Sequence, residues 1–345
     1  MKKAIWTVLI VLLAVSCSGK NVTAKSSGGS TTTVKAGTPA PASDFTVRLD
    51  QSGNGVEITD YIGSSKNLTV PATIEDMPVV GVYFKSLNPN VEQVFLPEGV
   101  KVVGNGNSYS GDVTLPNLKA VSLPSTLESI APFAFKGCAS LKSVLIPSGV
   151  KGIGNHAFES SGIQSIVIPA SVYGIAAGAF KNCKSLTHVE ISGNNLVLGD
   201  RLYPLFEGCD NLKSVIINEG VIGILMNTFN GKKLLETVIL PNSLKVIEEK
   251  SFYLCTSLSS IVLPKGLERI DSNAFANSGL TEVTISKTNG QLEIQGGAFS
   301  YCENLVTVNF EEGVSILFFG NGQFQGCPKL SLRSQAAIRE LGGFL

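Results

Sequence analysis

Seven cysteines and two histidines hold most of this 345-residue chain's capacity for nucleophilic, redox or metal chemistry. Their spacing decides among those uses. There is no Cys-x-x-Cys pair and no paired histidine pattern, so a tetrahedral zinc site has no ligand framework. Cys138, Cys183, Cys209, Cys255, Cys302 and Cys327 each follow a Phe by three residues, and Ser161, Lys232 and Ser278 take the same place elsewhere. That position reads as a buried slot beside an aromatic ring, where a thiol acts as a small hydrophobe. Cys183/Cys209 and Cys302/Cys327 fall in consecutive segments, so a disulfide within either pair is geometrically conceivable. His156 falls in a predicted turn and His188 on the outer face of a predicted strand. Neither gains a Ser or Cys nucleophile and a carboxylate to form a catalytic set. Gly104-x-Gly106 has no helix pattern after it, which excludes a phosphate loop. The chain reads as a non-enzyme without catalytic residues, metal or cofactor.

The elements that carry these residues repeat. In Leu141–Cys183 one unit runs Leu-x-x-Val-x-Ile-Pro-x-x-Val-x-x-Ile, then a polar turn, then Ala-Phe with Cys or Ser three residues later. Units open at Leu118, Leu141, Ile163, Leu186, Leu212, Leu235, Leu258, Leu280, Leu305 and Leu330, at intervals of 22 to 26 residues, with weaker units at Leu68 and Val91. Val144 and Ile146 share one strand face. Pro147 ends that strand because it has no N–H to donate. Val150 and Ile153 supply a second apolar pair on the return, and Ala157-Phe158 closes the coil on a short helical turn. The Phe ladder from Phe135 to Phe324 is expected in the core. One coil cannot bury this surface alone, whereas stacked coils can.

The Ile-Pro-x-x-Val-x-x-Ile-x-x-x-Ala-Phe-x-x-Cys pattern resembles the BspA type of bacterial leucine-rich repeat, closely over Leu118–Cys327 and loosely over Leu68–Val103. The resemblance implies a gently twisted solenoid with a strand on one face, a cell-envelope location and roles in protein binding, adhesion or host contact. It implies no chemistry. The expected fold is therefore a mainly β leucine-rich-repeat solenoid of about eleven to twelve coils, with a parallel sheet on one face and short helical or 3-10 turns. Departures at Asn105–Leu115, Ser192–Leu205 and Lys287–Ile294 are expected as loops or bulges.

Between the two inward positions of each strand stands one outward residue. Down the solenoid this row includes Leu145, Val167, Glu190, Ile216, Ile239 and Val262, and the next outward row reads Ser143, Ser165, His188, Ser214, Thr237 and Ser260. An apolar row edged by hydroxyls suits a protein-contact surface. It equally suits β-branched side chains that merely pair across a sheet. Leu145, Val167, His188, Ile216, Ile239 and Val262 are the candidate partner-binding residues.

The N-terminus carries Lys2 and Lys3 before an apolar stretch, Ala4–Val15, too short at about 1.5 Å per residue to span about 30 Å of hydrocarbon. Residues 1–16 read as a cleaved signal. Leu13-Ala14-Val15-Ser16-Cys17 resembles a bacterial lipobox, which would make Cys17 the lipidated residue. Ser18-Gly-Lys-Asn-Val22 lacks the acidic cluster of a surface-export tag, so an outer-membrane lipoprotein could face either side. Residues 17–43 read as a flexible tether, 44–67 as a β-rich N-terminal cap, 68–333 as the solenoid and 334–345 as a C-terminal cap. Basic and acidic residues number 27 each, which leaves no electrostatic footprint for nucleic acid. The expected partner is a protein of host or envelope, with a glycan or self-association as alternatives and membrane contact through the lipid only.

Overall fold

The structure, a computed structural model, describes residues 21–25, 31–83, 88–104, 115–200 and 203–345, and of 21–25 and 31–35 the backbone alone. The signal segment, Cys17 and residues 105–114 lie outside the described residues. The chain winds into a β-solenoid of about ten turns. The larger count expected from sequence took Leu330 as the start of a coil, whereas that residue leads into the terminal helix, Leu332–Glu340.

Each full coil has three sides. The front side carries the Leu-x-x-Val-x-Ile strand. Val189 and Ile191 point inward and are buried, while His188 and Glu190 face out. Front strands stack in parallel, with Ser165, His188, Ser214 and Thr237 in successive register. The Val-x-x-Ile segment, expected only as an apolar pair, forms a second parallel ladder. Ser129, Gly152 and Gly174 are in register there, as are Ile130, Ile153 and Ile175.

The third side carries Ala-Phe and is not helical. Two residues four apart adopt left-handed backbone in most of these coils, for example His156 and Ser160 (φ 54° and 57°) or Lys250 and Leu254 (φ 54° and 59°). Left-handed residues break a right-handed helix at each end. Between them, hydrogen bonding alternates. His156 N, Phe158 N and Ser160 N donate to Ala177 O, Ala179 O and Lys181 O of the next coil, while Ala157 N, Glu159 N and Ser161 N donate three residues back within their own coil. Backbone groups of this side are satisfied without a strand or a helix.

The nine Phe rings Phe135, Phe158, Phe180, Phe206, Phe229, Phe252, Phe275, Phe299 and Phe324 are at most 1% exposed. Consecutive rings stack at 5.1–5.6 Å with interplanar angles of 2–19°. This offset stacking joins the coils from Phe135 to Phe324, and aliphatic side chains extend the same apolar core through the N-terminal coils.

Both ladders are interrupted, at different places. The front sheet breaks between Thr237–Ile239 and Ser260–Leu263, where the second sheet continues through Val246–Ile247 and Arg269–Ile270. The second sheet breaks between Gly174–Ile175 and Leu196–Leu198, inside the lengthened unit, where the front strands Ser165–Ile168 and His188–Ile191 remain paired. The coil of Val144 adds no front strand but holds Gly152–Ile153 in the second sheet. The expected insertions therefore contain second-sheet strands, Leu196–Leu198 and Gln291–Ile294, with the extra residues after the strand in the first unit and before it in the second.

Ion pairs of alternating sign run along the coil edges. Glu92 lies between Lys66 and Lys119 (3.4 and 2.6 Å), and Glu128 between Lys101 and Lys151 (3.9 and 2.7 Å). On the third side Lys136 meets Glu159 and Lys181 meets Glu207, at 3.1 and 3.0 Å.

At the N-terminal end the antiparallel hairpin Phe45–Leu49 with Val56–Tyr61 joins the second sheet. Asp50 accepts from Ser52 N, Ser52 Oγ and Gly55 N, which fixes the hairpin turn, with Gly53 at φ 71°. Within the segment read as a tether, Asn21–Lys25 and Thr31–Lys35 pair antiparallel, and Gly37 N and Ala40 N donate to Thr69 Oγ1 and O, both at 2.9 Å. At the C-terminal end the helix cap is Ser331, whose side chain accepts from Ser334 N. Ser334 Oγ accepts from Val308 N at 3.0 Å and closes the last front strand.

Candidate partner-binding face

Strand alternation sets the front face. The inward residues are held by the core, so the outward ones have no orientation left but solvent. Val167 is 40% exposed, Ile239 44% and Val262 59%, while Leu145 and Ile216 are half-buried between neighbouring strands. His188 is exposed, and its Nδ1 lies 2.8 Å from Thr187 Oγ1. The registers Val167↔Glu190, Glu190↔Ile216 and Ile216↔Ile239 put these residues in one line. Glu190 interrupts the apolar row and accepts a hydrogen bond from Asn218 Nδ2 at 2.9 Å, so its charge is tied down at the row's edge. Val167, Ile216 and Ile239 thus share one ladder row and His188 stands in the row beside it, while Leu145 and Val262 hold the same place in the repeat beyond the two front breaks.

The sequence did not indicate that this face is discontinuous. At the front break Val238 and Leu240, which occupy inward positions, are only partly buried, whereas Val215 and Ile217 one coil earlier are at most 1% exposed. With exposed Ile239 between them, this gives three consecutive apolar residues beside Val262, of which Val238 and Leu240 still pack on the core but keep some solvent contact. The signal in sequence would have been Pro241, which follows Leu240 directly as Pro264 follows Leu263, but neighbouring coils with Pro in that place keep their ladder.

The other candidate chemistry is dispersed or sealed. His156 stacks on Phe133 (5.4 Å, 2°) and meets Tyr203 edge-on at 6.0 Å, with Nδ1 3.2 Å from Glu159 Oε2. Gly178 makes room for that ring, since a Cβ there would lie 2.7 Å from His156 Cε1. The thiols of the slot are buried, and Cys183, Cys209, Cys255, Cys302 and Cys327 each direct Sγ to the carbonyl of the Phe one coil back, at 3.0–3.2 Å. Burial pushes the Cys138 and Cys255 thiols up to about 12. They are poor nucleophiles at neutral pH. Among the described residues no group of three His, Cys, Asp or Glu side chains could hold a metal ion, and no helix is long and apolar enough to cross a membrane. A cleft of about 680 Å³ lies beside the terminal helix, lined in part by Tyr301, Glu303, Lys329 and Arg339, away from the front face.

The profile of the BspA type leucine rich repeat region matches residues 113–219 and 203–331, with six copies. The chain belongs to that family. No curated protein matches it. Among solved structures it is similar to a leucine-rich repeat protein from Bacteroides ovatus ATCC 8483, with 22% identity and a TM-score of 0.58 over 83% of this chain and 80% of that one. It also matches the leucine rich repeat protein of T. pallidum, with 22% identity and a TM-score of 0.42 over 88% and 96%. A leucine rich cell surface protein from Faecalibacterium prausnitzii A2-165 matches with 19% identity and a TM-score of 0.33 over 81% and 96%. At these identities the likeness bears on the fold.

Proposed function

We propose that this chain is an exported, lipid-anchored interaction module that binds a protein partner through its front strand face, in adhesion or scaffolding. The observation that carries the reading is the accessible apolar group Val238, Ile239, Leu240 and Val262, continued toward Val167 and bordered by Ser214, Thr237 and Ser260. Apolar centres with polar rims are what protein partners bury. The family is one of interaction repeats found in bacterial surface proteins, and the leader with Cys17 supports export and anchoring. Among the described residues the aromatics of the front strands with accessible surface are Phe95 and, at an inward position, Phe310, both half-buried, which leaves little ring surface for sugar stacking.

The test uses the folded chain as bait for envelope and host protein extracts, beside a glycan panel and sedimentation. The bait is compared with Ile239→Asp/Val262→Asp. Partner capture lost in the double variant, with an unchanged circular dichroism spectrum and melting midpoint, supports the reading. Equal capture by both proteins overturns it. Binding confined to glycans, or apolar contact only between copies, assigns the face to those alternatives. Cys17→Ala should release the chain from the membrane fraction, and retention there would exclude anchoring through that residue.

A further inference from the structure

The slot behind the Phe stack reads Cys138, Ser161, Cys183, Cys209, Lys232, Cys255, Ser278, Cys302 and Cys327 along the solenoid. Two pairs of cysteines are therefore immediate neighbours, and two cysteines are isolated by Ser or Lys. Coil stacking fixes how close slot neighbours come. Asn182 N donates to Glu207 O and Tyr301 N to Gln325 O, both at 2.7 Å, so the backbones beside each cysteine pair are locked in register. The rings in front of them stack at 5.6 Å (Phe180 and Phe206) and 5.2 Å (Phe299 and Phe324). Where a serine is the neighbour, the side-chain tips already touch. Ser161 Oγ lies 3.4 Å from Cys183 Sγ, and Ser278 Oγ 3.3 Å from Cys302 Sγ. Backbones of stacked strands lie about 4.8 Å apart, inside the Cα window of about 4.4–6.8 Å that a disulfide spans. In the structure all four are thiols, and bonding would turn the Sγ atoms of each pair toward one another from the Phe carbonyls they face.

We propose that Cys183–Cys209 and Cys302–Cys327 are inter-coil disulfide sites, oxidised as the chain folds in a medium that contains a disulfide oxidant, and that Cys138 and Cys255 stay as thiols. In each pair one thiolate attacks a sulfur of the oxidant disulfide and forms a mixed disulfide, and one oxidant thiolate leaves. The partner thiolate attacks the protein sulfur of that mixed disulfide, the second oxidant thiolate leaves, and both take up the protons the cysteines have lost. One oxidant S–S bond is reduced for each protein S–S bond formed. The exchange belongs to folding, because the finished core closes over both pairs. Each bond clips one coil to the next: Cys302–Cys327 where both ladders are hydrogen-bonded, and Cys183–Cys209 where the second ladder is broken and only the front one is paired.

The full chain is refolded from denaturant in oxidised plus reduced glutathione, alkylated under denaturing conditions, digested and mapped by mass spectrometry. Peptides linked through Cys183–Cys209 and Cys302–Cys327, with Cys138 and Cys255 alkylated, are expected. Alkylation of all four paired cysteines, or links to Cys138 or Cys255, overturns the proposal. Since Ser already occupies two of the slots, Cys183→Ser/Cys209→Ser and Cys302→Ser/Cys327→Ser should each fold and remove one link while sparing the other. In the quadruple variant the oxidised protein should lose the rise in melting midpoint that the wild type shows over its reduced form. An equal midpoint for oxidised and reduced wild type shows that no bond forms and also overturns it.

Discussion

Phe180 shows what a single residue contributes to this molecule. Its ring contacts those of Phe158 and Phe206 on either side, so truncation removes contacts to two coils as well as its own burial. Phe180→Ala should cost about 3–5 kcal/mol in denaturant unfolding. A loss below about 1 kcal/mol would mean that the neighbouring rings collapse into the gap. The thiols make a second residue-level statement, in pH. In the folded chain Cys138 and Cys255 are pushed up to about 12, from an ordinary thiol value of 9.0. Below pH 9 both states hold the protons, and the stability is intact. Between about 9 and 12 only the unfolded chain ionises, so stability should fall by about 1.4 kcal/mol per thiol for each pH unit. Cys255→Ser should flatten that fall. An identical slope in the variant would show that the Cys255 thiol is not the group responsible. These core roles were legible in sequence, because large aliphatics and Phe recur at fixed places and water drives them to one side. The Phe133, His156 and Tyr203 stack was not. It depends on Gly178 leaving space in one coil and on a Tyr from the lengthened unit, and of these only the Gly recurs, at Gly297 and Gly322.

At the scale of the element, the sequence yields the front strand and misses the second. A strand of two residues such as Gly152–Ile153 is too short to display a period of two, and Val-x-x-Ile spacing suits a helical turn as well. Stacking settles the ambiguity, since a parallel neighbour above and below supplies the hydrogen bonds that a lone pair of residues cannot. The third side misled for a related reason. Gly and Asn mark the left-handed positions in some coils, as at Gly178 and Asn182, but Leu254, Lys250 and Tyr301 fill them in others. Those bulky residues are held in an unfavourable conformation by the cross-coil bonds on both sides. Gly178→Ala should be costly, about 1–2 kcal/mol from the left-handed backbone alone, with the His156 ring displaced in addition. A melting midpoint within a degree of wild type would contradict the position assigned to that ring. At the terminal helix, Ser331→Ala should cost about 1 kcal/mol of local stability, read as faster amide exchange across Leu332–Glu340. Ser334→Ala should instead loosen Val308.

The whole molecule is a stack whose two ladders fail at different junctions, so each interruption is bridged by the other sheet and by the Phe stack. Stability is then a sum of neighbour terms that are unequal along the axis. Hydrogen exchange should find Thr237–Ile239 and the coil of Val144 less protected than Ser214–Ile217, even though all share one core. Uniform protection would show that the interruptions carry no energetic weight. The candidate face was legible as a row of outward residues, because alternation is a local rule. Its opening at Val238 and Leu240 was not, because it arises from a mismatch between two coils that each look regular alone.

The alternating ion pairs along the edges carry a further consequence for how such arrays change length. Lys101, Glu128 and Lys151 occupy one corner of three successive windings. Excising the winding from Leu118 to Ser140 would seat Lys101 against Lys151, replacing an attraction with a repulsion while leaving the hydrophobic interior in phase. Removing the next winding as well, through Gly162, would bring Tyr173 to Lys101 and spare the clash. Along this corner, loss of the Glu128 winding alone is the change that sets like charges side by side, and loss of it together with its neighbour is electrostatically easier.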